Sequence, residues 1–123
     1  MIIPMRVHEV KRFAGIFGGF DIEEQIFIPD GWVVLVHHLC ELLSRSVDLG
    51  HPPLCIERIT RWDGRLIVDG FHGSDYQKGM IRFAGYMSNF TCEVCGSAGV
   101  ARYSGSGSSV LCKQHQPLLN GKA

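Results

Sequence analysis

Apolar residues recur at helical spacing in two stretches of the chain. The first stretch follows Pro29-Asp30-Gly31 and places these side chains on one stripe: Trp32, Leu35, Val36, Leu39, Cys40, Leu43 and Val47. Steps of three and four residues predict an amphipathic helix with one buried face. Asp30 is expected to cap the start of this helix. Asp48-Leu49-Gly50 is expected to end it, because two prolines follow within three residues.

The second helical stretch follows Ser74, which forms the sequence of a capping box with Gln77. Its predicted buried stripe consists of Tyr76, Met80, Phe83, Ala84 and Met87. Between the two helices, residues 54–61 and 65–71 flank Trp62-Asp63-Gly64. An Asp-Gly pair between runs that contain apolar residues predicts a β-hairpin.

Two pairs of metal-ligand residues follow the second helix. Cys92 and Cys95 form a Cys-x-x-Cys pair, and Cys112 and His115 form a Cys-x-x-His pair after a spacer of sixteen residues. This spacing is typical of a tetrahedral zinc site. Three thiolates and one imidazole fill all four positions, so the sequence predicts a structural Zn²⁺ and not a catalytic one. A redox dithiol is the alternative for the first pair, although a turn-like Gly-Ser-Ala-Gly follows it where redox motifs have a helix.

Together these elements predict an α+β fold. We expect two amphipathic helices on a small antiparallel sheet, followed by a C-terminal unit like a zinc ribbon or a treble clef. Residues 1–90 are predicted to form the small α+β domain, and residues 91–123 the zinc-binding unit. Within that unit, residues 100–103 and 110–111 are expected to be short strands on either side of a Ser/Gly-rich loop.

The charge balance of the chain narrows the classes of molecule that it could bind. Among 123 residues, twelve basic side chains balance twelve acidic ones. This argues against a protein whose binding depends on neutralising a phosphate backbone. No signal peptide or membrane-spanning run is visible. Cysteines in metal-ligand spacing fit a reducing compartment, so we expect a cytoplasmic protein without membrane contact.

The predicted hairpin carries a cluster of arginines and one aromatic residue: Arg58, Arg61, Trp62 and Arg65. Arginine combined with an aromatic side chain is typical of contacts to protein partners and of stacking on nucleic-acid bases. The alternative is a solvated hairpin whose edge charges discourage aggregation. Cys55 and His51 could form a nucleophile pair, but no orienting third group is apparent, so we expect no enzymatic activity.

The order of these features resembles a set of small bacterial and phage-borne proteins. The shared features are Gly31-Trp32, Leu39-Cys40, the hairpin at residues 63–68, Ser88, residues 92–96 in a Cys-Glu-x-Cys-Gly motif, and residues 111–115 in a Leu-Cys-x-x-His motif. The resemblance covers about residues 30–116 and implies the same architecture. Proteins of this size and neutrality include adaptors and inhibitors. The expected function is therefore a zinc-binding module that docks on another protein, with nucleic-acid binding as the alternative.

Overall fold

A computed structural model describes residues 2–3, 13–17, 25–70 and 72–116 of the chain. Its helices are α1 (Val33–Asp48) and α2 (Asp75–Ser88), with 3-10 turns at Ala14–Ile16 and Asp30–Trp32. Its strands are β1 (Ile2–Ile3), β2 (Ile28–Pro29), β3 (Arg58–Trp62), β4 (Arg65–Asp69), β5 (Val100–Tyr103) and β6 (Ser108–Leu111). Consecutive strands pair as three two-stranded antiparallel sheets. The predicted α+β class is confirmed. No helix in these ranges is both long and apolar enough to cross a membrane.

Helix α1 supplies the centre of the core through the stripe that its sequence predicts. Val36, Leu39, Cys40 and Leu43 are buried, together with Trp32 just before the helix. They pack with apolar side chains from the first 3-10 turn, from β2 and the residues before it, from the β3–β4 hairpin and the residues before it, and from α2. These side chains are Ile16, Ile26, Ile28, Ile56, Ile59, Leu66, Ile81 and Ala84. Burial raises the pKa of the Cys40 thiol to about 12, so this cysteine is an inert core residue.

The predicted cap at the start of α1 is wrong. The α-helix begins at Val33, after the 3-10 turn, and no side-chain hydrogen bond caps either element. The backbone amide of Val33 donates to the carbonyl oxygen of Asp30. The chain therefore enters the helix through a tight backbone turn, and the Asp30 carboxylate has no capping role.

Helix α2 begins at the predicted capping box. The Ser74 hydroxyl accepts from the amide of Gln77, and the Gln77 side chain accepts from the amide of Ser74. The predicted apolar stripe is wrong for Tyr76 and Phe83, which are 53% and 63% exposed. The buried residues have the same spacing shifted by one position: Gln77, Ile81, Ala84, Gly85 and Ser88.

Two polar side chains on the inner face of α2 explain this shift. The amide nitrogen of Gln77 donates to the Ser46 hydroxyl and to the carbonyl of Pro52. The Ser88 hydroxyl accepts from the amide of Leu66 in β4. Because each polar group has hydrogen-bond partners inside the protein, its burial is tolerated. A pattern that counts apolar residues alone therefore identifies the wrong face.

The β3–β4 hairpin forms at the predicted turn. Asp63 and Gly64 both have positive φ, 50° and 80°, as a type I′ turn requires. Trp62 pairs with Arg65, and Ile59 pairs with Val68. Since side chains alternate between the two faces of a strand, the buried Ile59 and the side chain of Arg61 share the inner face, whereas Trp62 lies on the outer one.

Candidate metal centre

The first two candidate ligands lie on a tight turn. The Gly96 amide donates to the Cys92 carbonyl over 2.9 Å, and the Cys92 amide donates to the Ser97 carbonyl over 2.7 Å. The turn leaves Cys92 buried and Cys95 exposed. The second pair follows β6 directly, where the amides of His115 and Gln116 both donate to the Cys112 carbonyl. Both ligand pairs are thus held by local backbone hydrogen bonds.

The four candidate ligands meet at one point. Sγ of Cys95 lies 3.7 Å from Sγ of Cys112, and Nδ1 of His115 lies 3.6 Å from Sγ of Cys92 and 3.1 Å from Sγ of Cys112. All four ligand atoms lie within 4.8 Å of one another. In a tetrahedral zinc site with bonds of about 2.3 Å to sulfur and about 2.0 Å to nitrogen, two sulfurs lie about 3.8 Å apart and a sulfur and a nitrogen about 3.5 Å apart. The donor set and its spacing fit a zinc ion, to which His115 would offer Nδ1.

Ser97 prepares one thiol for metal binding. Its hydroxyl oxygen lies 3.3 Å from Sγ of Cys95. Hydrogen bonds from this hydroxyl and from the Ser97 backbone amide lower the pKa of Cys95 to about 6. The thiolate is the form of cysteine that binds metals. The Ser97 hydrogen bonds therefore favour the ligating form of Cys95.

The turn that carries Cys92 packs against the entrance to α1. The amide of Gly31 donates to the carbonyl of Glu93 over 2.9 Å, and the indole nitrogen of Trp32 donates to the carbonyl of Thr91 over 2.9 Å. A Cβ atom on residue 31 would collide with the carbonyl oxygen of Cys92. The 3-10 turn before α1 is thus a platform for the metal-binding turn. Only glycine at position 31 allows the two backbones to approach so closely.

An ion pair joins the β3–β4 hairpin to the metal unit, the stretch of residues 91–116 that carries the four candidate ligands. Nε of Arg61 donates to Oε1 of Glu93 over 2.5 Å, and Nη2 donates to the carbonyl of Ser108 over 2.6 Å. The other carboxylate oxygen of Glu93 accepts from the amide of Val110 over 2.7 Å. Glu93 is 9% exposed, and the guanidinium of Arg61 balances its charge inside the protein. This network holds the β5–β6 hairpin against the β3–β4 hairpin.

The structure separates the members of the predicted partner-binding cluster. Arg61 lies on the inner face of its hairpin and is bound to Glu93. Arg58, Trp62 and Arg65 are exposed. They share the outer face, because Trp62 and Arg65 are cross-strand partners and residues 58 and 62 are an even number of positions apart. Trp62 is 72% exposed, so it is not a core residue.

An open groove of about 700 Å³ lies where the two hairpins meet. One side is formed by Arg61, Trp62 and Asp63, and the other by residues 103–109. Tyr103 on this second side is 75% exposed. The Asp63 carboxylate accepts from the amide of Ser108 over 2.7 Å, which fixes the hairpin tip to the opposite wall. The groove therefore has two exposed aromatic side chains, Trp62 and Tyr103, and a hydrogen bond joins its two walls.

The contacts of His51 are with residues other than Cys55, its possible partner in a nucleophile pair. Its Nδ1 lies 3.0 Å from the hydroxyl of Ser74, and its ring stacks on Tyr76 with centroids 4.7 Å apart. Cys55 is exposed. The contacts of His51 thus connect the loop after α1 to the start of α2.

The sequence does not predict the contacts that Gly31, Asp63, Glu93 and Ser97 make in this region. Local sequence gives no signal for the role of Glu93, because an acidic residue in a turn is ordinarily exposed and hydrated. Neither Arg61 nor Ser108 can be identified as its neighbour from local sequence, since they lie 32 and 15 positions away.

Comparisons with known proteins do not place the chain in a family. No family model, no curated protein and no solved structure matches it. Of the predicted resemblance to small bacterial and phage-borne proteins, the structure supports the Cys/His cluster alone.

Proposed function

We propose that the chain is a non-enzymatic zinc-binding module that docks on another protein, as a bacterial or phage adaptor or inhibitor does. The groove between the hairpins is the proposed contact surface. The observation that carries this proposal is the pair Trp62 and Tyr103, two largely exposed aromatic side chains on opposite walls of one groove. Exposed aromatic residues beside well-fixed polar groups are typical of the anchors of protein interfaces.

The metal has a structural role in this proposal. Two-stranded hairpins are marginally stable alone, and β5–β6 has only four residues in each strand. A bound zinc ion would join the end of β6, through Cys112, to the turn that packs on Gly31. It would thereby hold the wall that carries Tyr103. With all four positions taken by protein ligands, the ion offers no site for a substrate.

The charges of the groove favour a protein partner over a nucleic acid. Its lining contains one basic residue, Arg61, and one acidic residue, Asp63. The guanidinium of Arg61 is already paired with Glu93, and Asp63 would repel a phosphate. A nucleic acid remains the second candidate because of the outer face of β3–β4, where Arg58 and Arg65 accompany Trp62 and could bind phosphates beside a stacked base.

Affinity capture with matched variants tests the proposal. The full-length chain, purified with zinc, is used to retain proteins from a bacterial lysate, in parallel with Trp62→Ala and Phe83→Ala. Phe83 is a suitable control because it is an exposed aromatic residue on α2 that does not line the groove. We expect a protein that the wild type and Phe83→Ala retain and that Trp62→Ala loses, with all three chains melting at similar temperatures.

Two results would count against protein docking. The first is that Trp62→Ala and Phe83→Ala retain the same proteins as the wild type. The second is binding of a fluorescent single-stranded oligonucleotide that weakens steeply as salt rises and requires Trp62, which would favour the nucleic-acid alternative.

A further inference from the structure

The two edges of the β5–β6 hairpin differ in how their backbone groups are satisfied. On the β6 edge, the amide of Ser108 donates to Asp63 and its carbonyl accepts from Arg61. Further along, the amide of Val110 donates to the Glu93 carboxylate and its carbonyl accepts from the Glu93 amide. Every outward-pointing backbone group of Ser108 and Val110 thus has a partner, and this edge is closed.

The strand register then determines which groups of β5 point outward. Ala101 pairs with Val110, and Tyr103 pairs with Ser108. Directly opposed residues of an antiparallel pair either exchange both hydrogen bonds or exchange none. Since Val110 and Ser108 direct their backbone groups away from β5, Ala101 and Tyr103 direct theirs away from β6. Their amides and carbonyls form a row along the outer edge of β5.

This row has no partner in the part of the chain that the structure describes. The edge is covered only before β5, where the amide of Gly99 donates to the carbonyl of Phe90 and Thr91 bridges Ala98. All four residues of β5 are exposed. Four backbone groups, two donors and two acceptors, are therefore presented at the spacing of a strand.

We infer that the outer edge of β5 binds an extended, acidic peptide segment of the partner protein, which adds a third strand to this sheet. The inference rests on the proposed function and specifies how the partner is held. An extended backbone is the ligand whose donors and acceptors match those of Ala101 and Tyr103. Because Tyr103 also lines the groove, a strand bound here would run past the groove that contains Trp62.

The charges on the β5 edge favour an acidic segment, because the carboxylates of Asp63 and Glu93 are bound to the β6 edge instead. Arg102 lies between the two outward-pointing residues, and the sequence has no Asp or Glu after Glu93. The Gln116 side chain, oriented with its oxygen towards Arg102, accepts from Nη1, Nε and Nη2 of the guanidinium over 2.8, 3.0 and 2.9 Å, which leaves one N–H on Nη1 and one on Nη2. A guanidinium has five N–H donors in a planar fork, so donors remain for a carboxylate of the bound strand.

The same charge disfavours a second copy of this chain as the occupant. Two β5 edges related by a two-fold axis use all four backbone groups only when Ala101 of one copy faces Tyr103 of the other. That register places Arg102 directly opposite its own symmetry mate, in the closer type of antiparallel pair. Like charges in that position are destabilising.

A displayed library of random eight-residue peptides tests the inference on the full-length chain purified with zinc. We expect selected peptides to alternate β-branched residues with at least one acidic residue. Bound peptide should slow hydrogen exchange at the amides of Ala101 and Tyr103, which exchange rapidly in the free chain. Ala101→Pro removes one outward amide without affecting the β5–β6 ladder, as proline does on an edge strand. It should weaken binding about tenfold or more, since the facing carbonyl loses its donor.

Two further variants serve as controls. Ala101→Val keeps the amide and should bind within about twofold of the wild type, because a β-branched residue fits an exposed strand position. Arg102→Glu keeps the edge and reverses its charge, so it should lose the peptides with acidic residues. Zinc content and melting temperature should be the same in all variants.

Several outcomes would overturn the inference. They are the selection of no peptide, equal binding by Ala101→Pro, slow exchange at both amides in the free chain, and self-association that Ala101→Pro abolishes. None of them decides the proposed function, which depends on loss of the captured protein by Trp62→Ala. Conversely, a peptide could bind β5 while Trp62→Ala still captures every protein. That result would support the edge site and refute the groove as the contact surface.

Discussion

Replacing Arg61 by alanine tests the central contact between the two hairpins. The substitution removes the donors to the Glu93 carboxylate and to the Ser108 carbonyl. Glu93 would keep its bond from the Val110 amide but lose its only cationic partner among the described residues. The result is a nearly buried carboxylate without a counter-charge.

The size of the effect follows from burial. Breaking a buried ion pair by removing one partner costs about 3–5 kcal/mol. The Glu93 side chain is 10% exposed and that of Arg61 is 24% exposed, so water partly screens the pair. We therefore expect a loss of about 3 kcal/mol in the free energy of unfolding, at the lower end of that range. Arg61→Lys keeps a charge but not the planar fork, and should lose about half as much.

Urea denaturation at pH 7 and a fixed concentration of free zinc measures this loss. The zinc concentration must be the same for all variants, because a ligand of the folded state adds to its stability. With a slope of about 1–3 kcal/mol per molar urea, the midpoint should fall by about 1–3 M. Arg58→Ala is the matched control, since Arg58 is an exposed arginine on the same strand and should change stability by about 0.5 kcal/mol or less.

Equal midpoints for Arg61→Ala and Arg58→Ala would refute this reasoning. Arg61 would then be free to contact a partner, as the sequence analysis predicts for the whole hairpin cluster. If Arg61→Ala does not fold well enough to be measured, the comparison of Arg61→Lys with Arg58→Ala decides the question.

Two predictions concern the metal unit. Purified protein should contain one zinc per chain. Cys112→Ser should lower the zinc content and unfold the metal unit far more than Cys55→Ser does, because binding energy at structural sites is folding energy. Iron, or an absence of metal together with a Cys92–Cys95 disulfide, would contradict the assignment. Gly31→Ala should destabilise the chain in thermal melting, because its Cβ meets the Cys92 carbonyl. Gly79→Ala in α2, where nothing lies within 4 Å of the added Cβ, should instead stabilise it by about 1 kcal/mol. A Gly31→Ala chain that melts at or above the wild-type temperature would show that the two backbones do not approach as described.

The features that sequence predicts well are local ones. Ligand spacing identifies Cys92, Cys95, Cys112 and His115, because two short turns bring each pair together whatever the rest of the chain does. The capping box at Ser74 is equally local. Asp30 shows the limit of this reasoning. It has the right residue type for a helix cap, but the backbone around Gly31 is engaged with the metal-binding turn some sixty positions later.

The buried face of α2 could not be identified by counting apolar residues. Tyr76 and Phe83 are apolar and exposed, whereas Gln77 and Ser88 are polar and buried. The buried pair satisfies backbone groups in other elements, and those elements become neighbours only in the folded chain. Polar residues with long-range partners are therefore invisible to periodicity alone.

For the hairpin cluster, the sequence does contain a signal that would have separated its members. A two-residue Asp-Gly turn fixes the register, and alternation then places Arg61 with the apolar Ile59 and not with Trp62. The identity of the acidic partner of Arg61 is not predicted in this way, because Glu93 lies 32 positions away and becomes a neighbour of Arg61 only in the folded chain. Parity along the strand thus distinguishes a structural arginine from an exposed one.

Under the proposed function, the small core of the metal unit gives zinc a structural role. The β5–β6 hairpin contributes Val110 and Leu111 to the buried interior, and its other strand is exposed throughout. So little apolar burial cannot hold a two-stranded hairpin in a fixed orientation. Hydrogen bonds with Arg61, Asp63 and Glu93 hold the β6 edge of the hairpin, and a zinc ion bound to Cys112 would hold the end of β6. The opposite edge is thereby left open without loss of the fold, which is the condition for a strand edge to serve as a binding site.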